Sequence, residues 1–147
     1  MIIEAELLGG RDIQCDPPPG RVIAVGPRQT FAQLADVIDT AFARWELSHL
    51  HEFELSDGRR IGFPDVDPGE HGWQDHDALR VGTELSPGEE FTYVFDFGDY
   101  WRHQCRVLDE KIDSRELFGE GASPRHPVPI FGWGWIPDQH GRTTRED

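Results

Sequence analysis

The chain has 147 residues, enough for one sizeable core and too few for two. Acidic residues number 28 against 14 basic ones, and the formal net charge of −14 disfavours duplex DNA and anionic membrane surfaces as partners. Hydrophobic residues at 37% and aromatics at 11% exclude a disordered chain, while 16 glycines and 11 prolines point to many turns. No apolar run approaches the roughly 20 residues of a membrane span, and Glu4 and Glu6 interrupt any signal peptide. The expectation is a soluble, cytoplasmic α+β protein with no membrane and no nucleic-acid partner.

In chain order, Ile2 to Leu8 alternates loosely and stops at Gly9-Gly10, the pattern of a strand and a turn. Pro17 to Gly20 forms a stiff loop before a short strand from Arg21 to Val25. The clearest helix is predicted from Phe31 to Trp45. Thr30 and Gln33 supply a capping box, and Phe31, Leu34, Ile38, Phe42 and Trp45 recur at helical spacing as a core stripe. His49 to Leu55 reads as a strand with His49, His51, Phe53 and Leu55 on one face, joined through Ser56-Asp57-Gly58 to Arg59–Phe63. Pro64 to Asp77, rich in Asp and carrying His71 and His76, reads as a long acidic loop. A short helix is predicted near Ser114 to Gly119. From Ser123 onward the chain is Pro-, Gly- and Trp-rich, with Phe131, Trp133 and Trp135 expected to pin it to the core. Residues 1–141 are expected to form a single domain and 142–147 a polar tail.

The most informative stretch is FTYVFDFGDYWRHQCRV, from Phe91 to Val107. An even loop would mix the faces of the two arms, because a one-residue slip carries every side chain across the sheet. An odd loop keeps the aromatic side clean. The three-residue choice, Asp96-Phe97-Gly98, gives glycine the left-handed position and sets Tyr93 opposite Trp101 and Phe91 opposite His103. Asp99, Trp101 and His103 then face the same side as the aromatics.

YVFDFGDYWRH resembles the aromatic-Asp-Phe-Gly-Asp-x-Trp-x-His signature of the plasmid pRiA4b ORF-3-like family. TFAQLADVIDTAFARWELSHLHEF resembles that family's helix, Trp and His-Leu-His-x-Phe segment, in the same order and spacing. The resemblance implies an α+β fold with a mostly antiparallel sheet packed against one main amphipathic helix, and no established activity. It also implies a mobile-element-associated family, some of whose members carry a resolvase label. Recombinase chemistry is not expected here: no serine sits in an arginine-rich motif, and Tyr93 and Tyr100 both lie in the hairpin.

Candidate binding residues are His49, His51, Asp96, Asp99, Trp101 and His103. Of these, His49, His51, Asp99 and His103 offer imidazole and carboxylate donors of the kind zinc, manganese or iron take, but a centre needs three to converge. The expectation is polar structure: sheet histidines bonded to Asp96, Asp99 or backbone, with no metal and no cofactor. Cys15 and Cys105 make no CxxC pair, so neither a zinc ribbon nor a disulfide is expected. The preferred reading is a binding or accessory module, rather than an enzyme, for a protein or small-molecule partner whose identity the sequence leaves open. The alternatives are a metal-dependent hydrolase or nuclease using the His/Asp set, and a purely structural protein.

Overall fold

The computed structural model describes residues 1–66, 71–109 and 125–141. In chain order the elements are β1 (Ile2–Gly10), β2 (Ile13–Gln14), β3 (Gly20–Ala24), α1 (Phe31–Ala41), β4 (His51–Glu54), β5 (Arg60–Gly62), β6 (Trp73–Asp75), α2 (Val81–Glu84), β7 (Glu90–Phe95), β8 (Trp101–Val107) and β9 (Val128–Trp133). The nine strands among the described residues make one sheet in the order β6-β5-β4-β7-β8-β1-β3-β9, with β2 paired to β1. Every pairing is antiparallel except β5 with β6, so the sheet is mixed and dominates the fold.

Period-two burial decides which side becomes core. Ile3, Ala5 and Leu7 of β1 are buried and pair with Val107, Cys105 and His103 of β8. Phe91, Tyr93 and Phe95 of β7, with Phe53 of β4, continue the same layer. Phe31, Leu34, Ala35 and Ile38 of α1 join this cluster, and the Phe31 and Phe53 rings meet edge-on at 5.1 Å. The capping box forms: Thr30 Oγ1 accepts from the Gln33 amide, and the Gln33 side chain accepts from the Thr30 amide.

The helix is shorter than the periodicity predicts. It ends at Ala41, and Ala43 turns left-handed at φ 62°, so Trp45 leaves the stripe and stands 54% exposed. The acidic loop is also shorter than expected, because Trp73–Asp75 pairs with β5 as an edge strand. At the other edge β9 was missed, and Phe131, Trp133 and Trp135 are exposed instead of pinned into the core. Trp133 does cover Gly20, where an added Cβ would lie 2.1 Å from its ring. The helix predicted near Ser114 and the polar tail lie outside the described residues.

The β7–β8 hairpin keeps the odd loop but shifts the register by two residues. Phe95 faces Trp101, Tyr93 faces His103 and Phe91 faces Cys105, across a loop running from Asp96 to Tyr100. A shift of two preserves the clean aromatic face, which is why the faces alone did not fix the loop length. Asp96 closes the loop: its carbonyl accepts from the Tyr100 amide, and its Oδ1 accepts from the Gly98 amide at 3.0 Å. The left-handed positions belong to Asp96 (φ 64°) and Tyr100 (φ 58°), not to Gly98. Aspartate tolerates that region because its side chain bonds the following amides.

Two glycine substitutions therefore separate. Gly10 packs against the Trp101 indole, and an added Cβ would sit 2.4 Å from it. Gly10→Ala is expected to cost about 1–3 kcal/mol by forcing Trp101 off its rotamer, whereas Gly98→Ala has no left-handed strain to suffer and stays within about 0.5 kcal/mol. Urea denaturation of both variants checks the pair; equal losses would contradict this placement of strain.

Candidate functional site

The sequence-predicted residues lie in or beside β4, β7 and β8, but their polar atoms are engaged separately. His49 precedes β4, with Nε2 3.1 Å from Glu46 and Nδ1 3.7 Å from Asp96. His51, on the core face of β4, places Nε2 2.9 Å from Nδ1 of His76. His103 is fully buried, and its Nδ1 donates to the Tyr93 carbonyl at 2.9 Å. Asp99 lies in the hairpin loop and pairs with Arg11 at 3.3 Å. The quartet His49, His51, Asp99 and His103 does not converge as a donor set. Among the described residues, the group that brings three such donors within 4.8 Å of one another is Asp75, His76 and Asp77.

A buried polar cluster occupies the space between the end of α1 and the hairpin. Tyr93 donates its hydroxyl to Asp39 at 2.8 Å, and the Arg44 guanidinium stands 3.6 Å from the same carboxylate. The Arg44 side chain is 2% exposed and that of Asp39 4%. Arg44 also lies over the rings of Phe42, Phe95 and Trp101 at 5.4–5.7 Å. Pro137 and Gln139 close this region together with Leu7 and Phe42, and Gln139 accepts from the Trp45 and Glu46 amides. Four buried atoms, Asp39 Oδ1, Arg44 Nη1, Trp101 Nε1 and His103 Nε2, have no hydrogen-bond partner among the described residues.

Burial sets the protonation of this cluster. It pushes Asp39 up to about 7, against the pull of Arg44 and of the Tyr93 hydroxyl. It holds His103 well below the usual imidazole range, and nearby Arg44 adds to the effect. His51 is lowered to about 3 by burial first and by His76 second. His51 and His103 are therefore neutral sheet histidines at neutral pH, as their apolar surroundings dictate.

A second feature, open to solvent, lies where two tight turns meet. Residues 10–14 on one side, and Gly98, Asp99, Tyr100 and Arg102 on the other, frame a groove of about 530 Å³. Arg11 and Asp12 link β1 to β2 with φ 52° and 62°, the twist a two-residue hairpin turn needs. The Arg11 amide donates to the Asp99 carbonyl at 2.7 Å, so the two turns hold each other. Among the described residues, Arg102 makes no ion pair, in a chain whose acids outnumber its bases two to one.

Sequence reasoning missed Asp39, Arg44 and Arg11. Asp39 and Arg44 fall off the helical stripe, and only the left-handed break at Ala43 turns Arg44 inward. One signal was available: the Tyr93 hydroxyl, placed on the buried face by period two, had to find a partner.

Comparison with known proteins agrees with the hairpin signature. Over 82 residues the chain is 33% identical to the "Uncharacterized protein y4hQ" of Sinorhizobium fredii (strain NBRC 101917 / NGR234), a match covering 52% of this chain and 39% of that relative. The chain thus spans about two-fifths of the length of this curated relative. The crystal structure of the "Protein of Unknown Function MM3350" from Methanosarcina mazei Go1 superposes with a TM-score of 0.64 at 25% identity, covering 89% of this chain and 67% of that one. No helix among the described residues is long and apolar enough to cross a membrane. The family model described as "Plasmid pRiA4b ORF-3-like protein" matches residues 13–126, from β2 through the signature hairpin and beyond, and the chain belongs to that family.

Proposed function

We propose that this protein is a binding module, not a catalyst, and that it takes a ligand bearing an anionic group in the groove between the β1–β2 turn and the β7–β8 loop. The observation that carries this reading is Arg102, a guanidinium without an ion-pair partner among the described residues, lining a concavity of about 530 Å³. That volume is in the range of small-molecule sites. Two further facts support it. Arg11 and Tyr100 frame the groove in left-handed backbone conformations, a strain that clusters at ligand clamps. The aromatic ring of Tyr100 is exposed beside them, available for stacking. The overall charge of −14 does not forbid a small anion at Arg102, because screening acts over about 8 Å; of the two aspartates lining the groove, Asp99 is paired with Arg11, and Asp12 is the carboxylate a ligand must clear.

In this reading residues 1–141 act as one folding unit, with α1 as the main helical cover of the sheet and the hairpin presenting the groove. Candidates His49, Asp96 and Trp101 shape the hairpin, Asp99 both shapes it and lines the groove, and Arg102 contacts the ligand. The test is a ligand-observed NMR screen of small carboxylates and phosphate esters against the native chain and Arg102→Gln. Compounds are expected that bind the native chain and lose about tenfold or more in affinity in the variant, with the melting temperature unchanged. A screen in which no anionic compound distinguishes the two proteins removes the reading and favours a structural role.

A further inference from the structure

We infer a divalent transition-metal site at the β6 edge of the sheet, formed by Asp75, His76 and Asp77 with His51 behind it. This site is separate from the groove and does not depend on it. The sequence places the two aspartates and the histidine consecutively, which as an extended segment would spread them over both faces. The fold gathers them instead, because Asp75 ends β6 and the chain turns immediately: the Asp77 amide donates to Asp75 Oδ1 at 2.9 Å.

The backbone of the site is fastened on two sides. The His76 amide donates to the Gly62 carbonyl of β5 at 3.1 Å, and its carbonyl accepts from Ala32 in the first turn of α1 at 2.9 Å. A ligand atom from each of Asp75, His76 and Asp77 then lies within 4.8 Å of the others. One imidazole nitrogen with two carboxylate oxygens is a donor set suited to zinc, manganese, cobalt or ferrous iron, and the nitrogen disfavours calcium and magnesium.

The arrangement behind His76 is independent of the carboxylates and points the same way. His76 uses Nδ1 to meet His51 Nε2 at 2.9 Å, while its Nε2 lies 3.5 Å from Asp77 Oδ2. A metal-bound histidine characteristically hands its second ring nitrogen to a partner that fixes its tautomer and orientation. His51 is 7% exposed, and Phe63 packs on both imidazoles at 4.6 and 4.3 Å, so the pair is held in place from the core side. With Nδ1–H donated to His51, the Nε2 lone pair of His76 faces the carboxylates. Asp36 of α1 adds a further negative charge close to His76 and Asp77. Among the described residues, no arginine pairs with Asp36, Asp75 or Asp77. Solvent can fill the remaining coordination positions, since both aspartates of the triad are exposed.

The experiment is a titration of the full chain, first stripped with chelator, with Co²⁺ alone followed by competition with Zn²⁺ and Mn²⁺. Visible Co²⁺ absorption reports the coordination geometry of the bound ion, its change in His76→Ala reports the imidazole ligand, and calorimetry reports stoichiometry. One equivalent is expected, with affinity lost at least tenfold in His76→Ala and in the exposed double variant Asp75→Asn/Asp77→Asn. His51→Gln is expected to weaken binding about 10–100-fold without abolishing it, as an outer-shell partner should. Circular dichroism in chelator confirms that each variant is folded, and the double variant, altered only at exposed positions, keeps the test valid should His51→Gln unfold. His49→Ala is expected to leave affinity unchanged. Absence of stoichiometric binding by the native chain, or binding that survives both His76→Ala and the double variant, overturns the assignment.

Discussion

Above pH 7, where Asp39 of the native chain is ionised, replacing Arg44 with methionine is expected to lower the unfolding free energy by about 3–5 kcal/mol, the cost of leaving a buried carboxylate without its cation. The magnitude follows from burial, since both side chains of the Asp39–Arg44 pair are at most 4% exposed. An exposed pair would contribute less than about 1 kcal/mol. Methionine fills much of the same space, so the loss reports charge and hydrogen bonding more than cavity formation. It also removes a cation lying over Phe42, Phe95 and Trp101. Asp39→Asn/Arg44→Met is expected to recover part of the stability, because the neutral amide still accepts from Tyr93 and leaves no uncompensated charge. The check is a double-mutant cycle by urea denaturation. Single losses that add to within about 0.5 kcal/mol would show that the pair is not coupled.

That cluster marks where sequence reading stopped. The centre of the sheet was legible, unlike its edge strands β6 and β9, because one period-two pattern after another, Ile3-Ala5-Leu7, Phe91-Tyr93-Phe95 and Trp101-His103-Cys105, obliges one face to be buried. The capping box fixed the start of α1, but nothing as local fixed its end, since Phe42, Ala43 and Arg44 are all tolerable helix residues. The stop is tertiary: Arg21 donates to the Ala41 carbonyl from β3, and Arg44 turns inward to Asp39. The hairpin shows the same limit. Alternation demands an odd loop and is indifferent between three residues and five, and Asp96 settles it by capping the longer one. Of the site residues, His51 and His103 were legible as sheet histidines. Their partners, His76 and the Tyr93 carbonyl, come from chain pairing that a linear pattern does not display.

Two buried groups that both contact Tyr93 should drive stability in opposite directions with pH, and removing either should expose the other. Asp39, raised to about 7 in the folded state against about 3.9 unfolded, binds its proton more tightly when folded. Its contribution is fully present below about pH 4 and is lost as pH rises towards 7. His103 is depressed well below its unfolded value of about 6.5. Its contribution is present above about pH 6.5 and is lost as pH falls, because protonation would bury a second cation near Arg44. Between about pH 4 and 6.5 the two slopes oppose, each at most about 1.4 kcal/mol per pH unit. Asp39→Asn removes the acid-favouring term, so its stability relative to the native chain should worsen steadily as pH is lowered from 7 to 4. His103→Gln, whose amide can still donate to the Tyr93 carbonyl, should show the reverse and gain on the native chain over the same range. Taking differences from the native chain cancels the contributions common to all three proteins, including that of His51. Urea denaturation at half-unit pH steps provides the measurement. Parallel profiles for the native chain and both variants would show that neither group titrates with folding in this window, and that the cluster is held by packing alone.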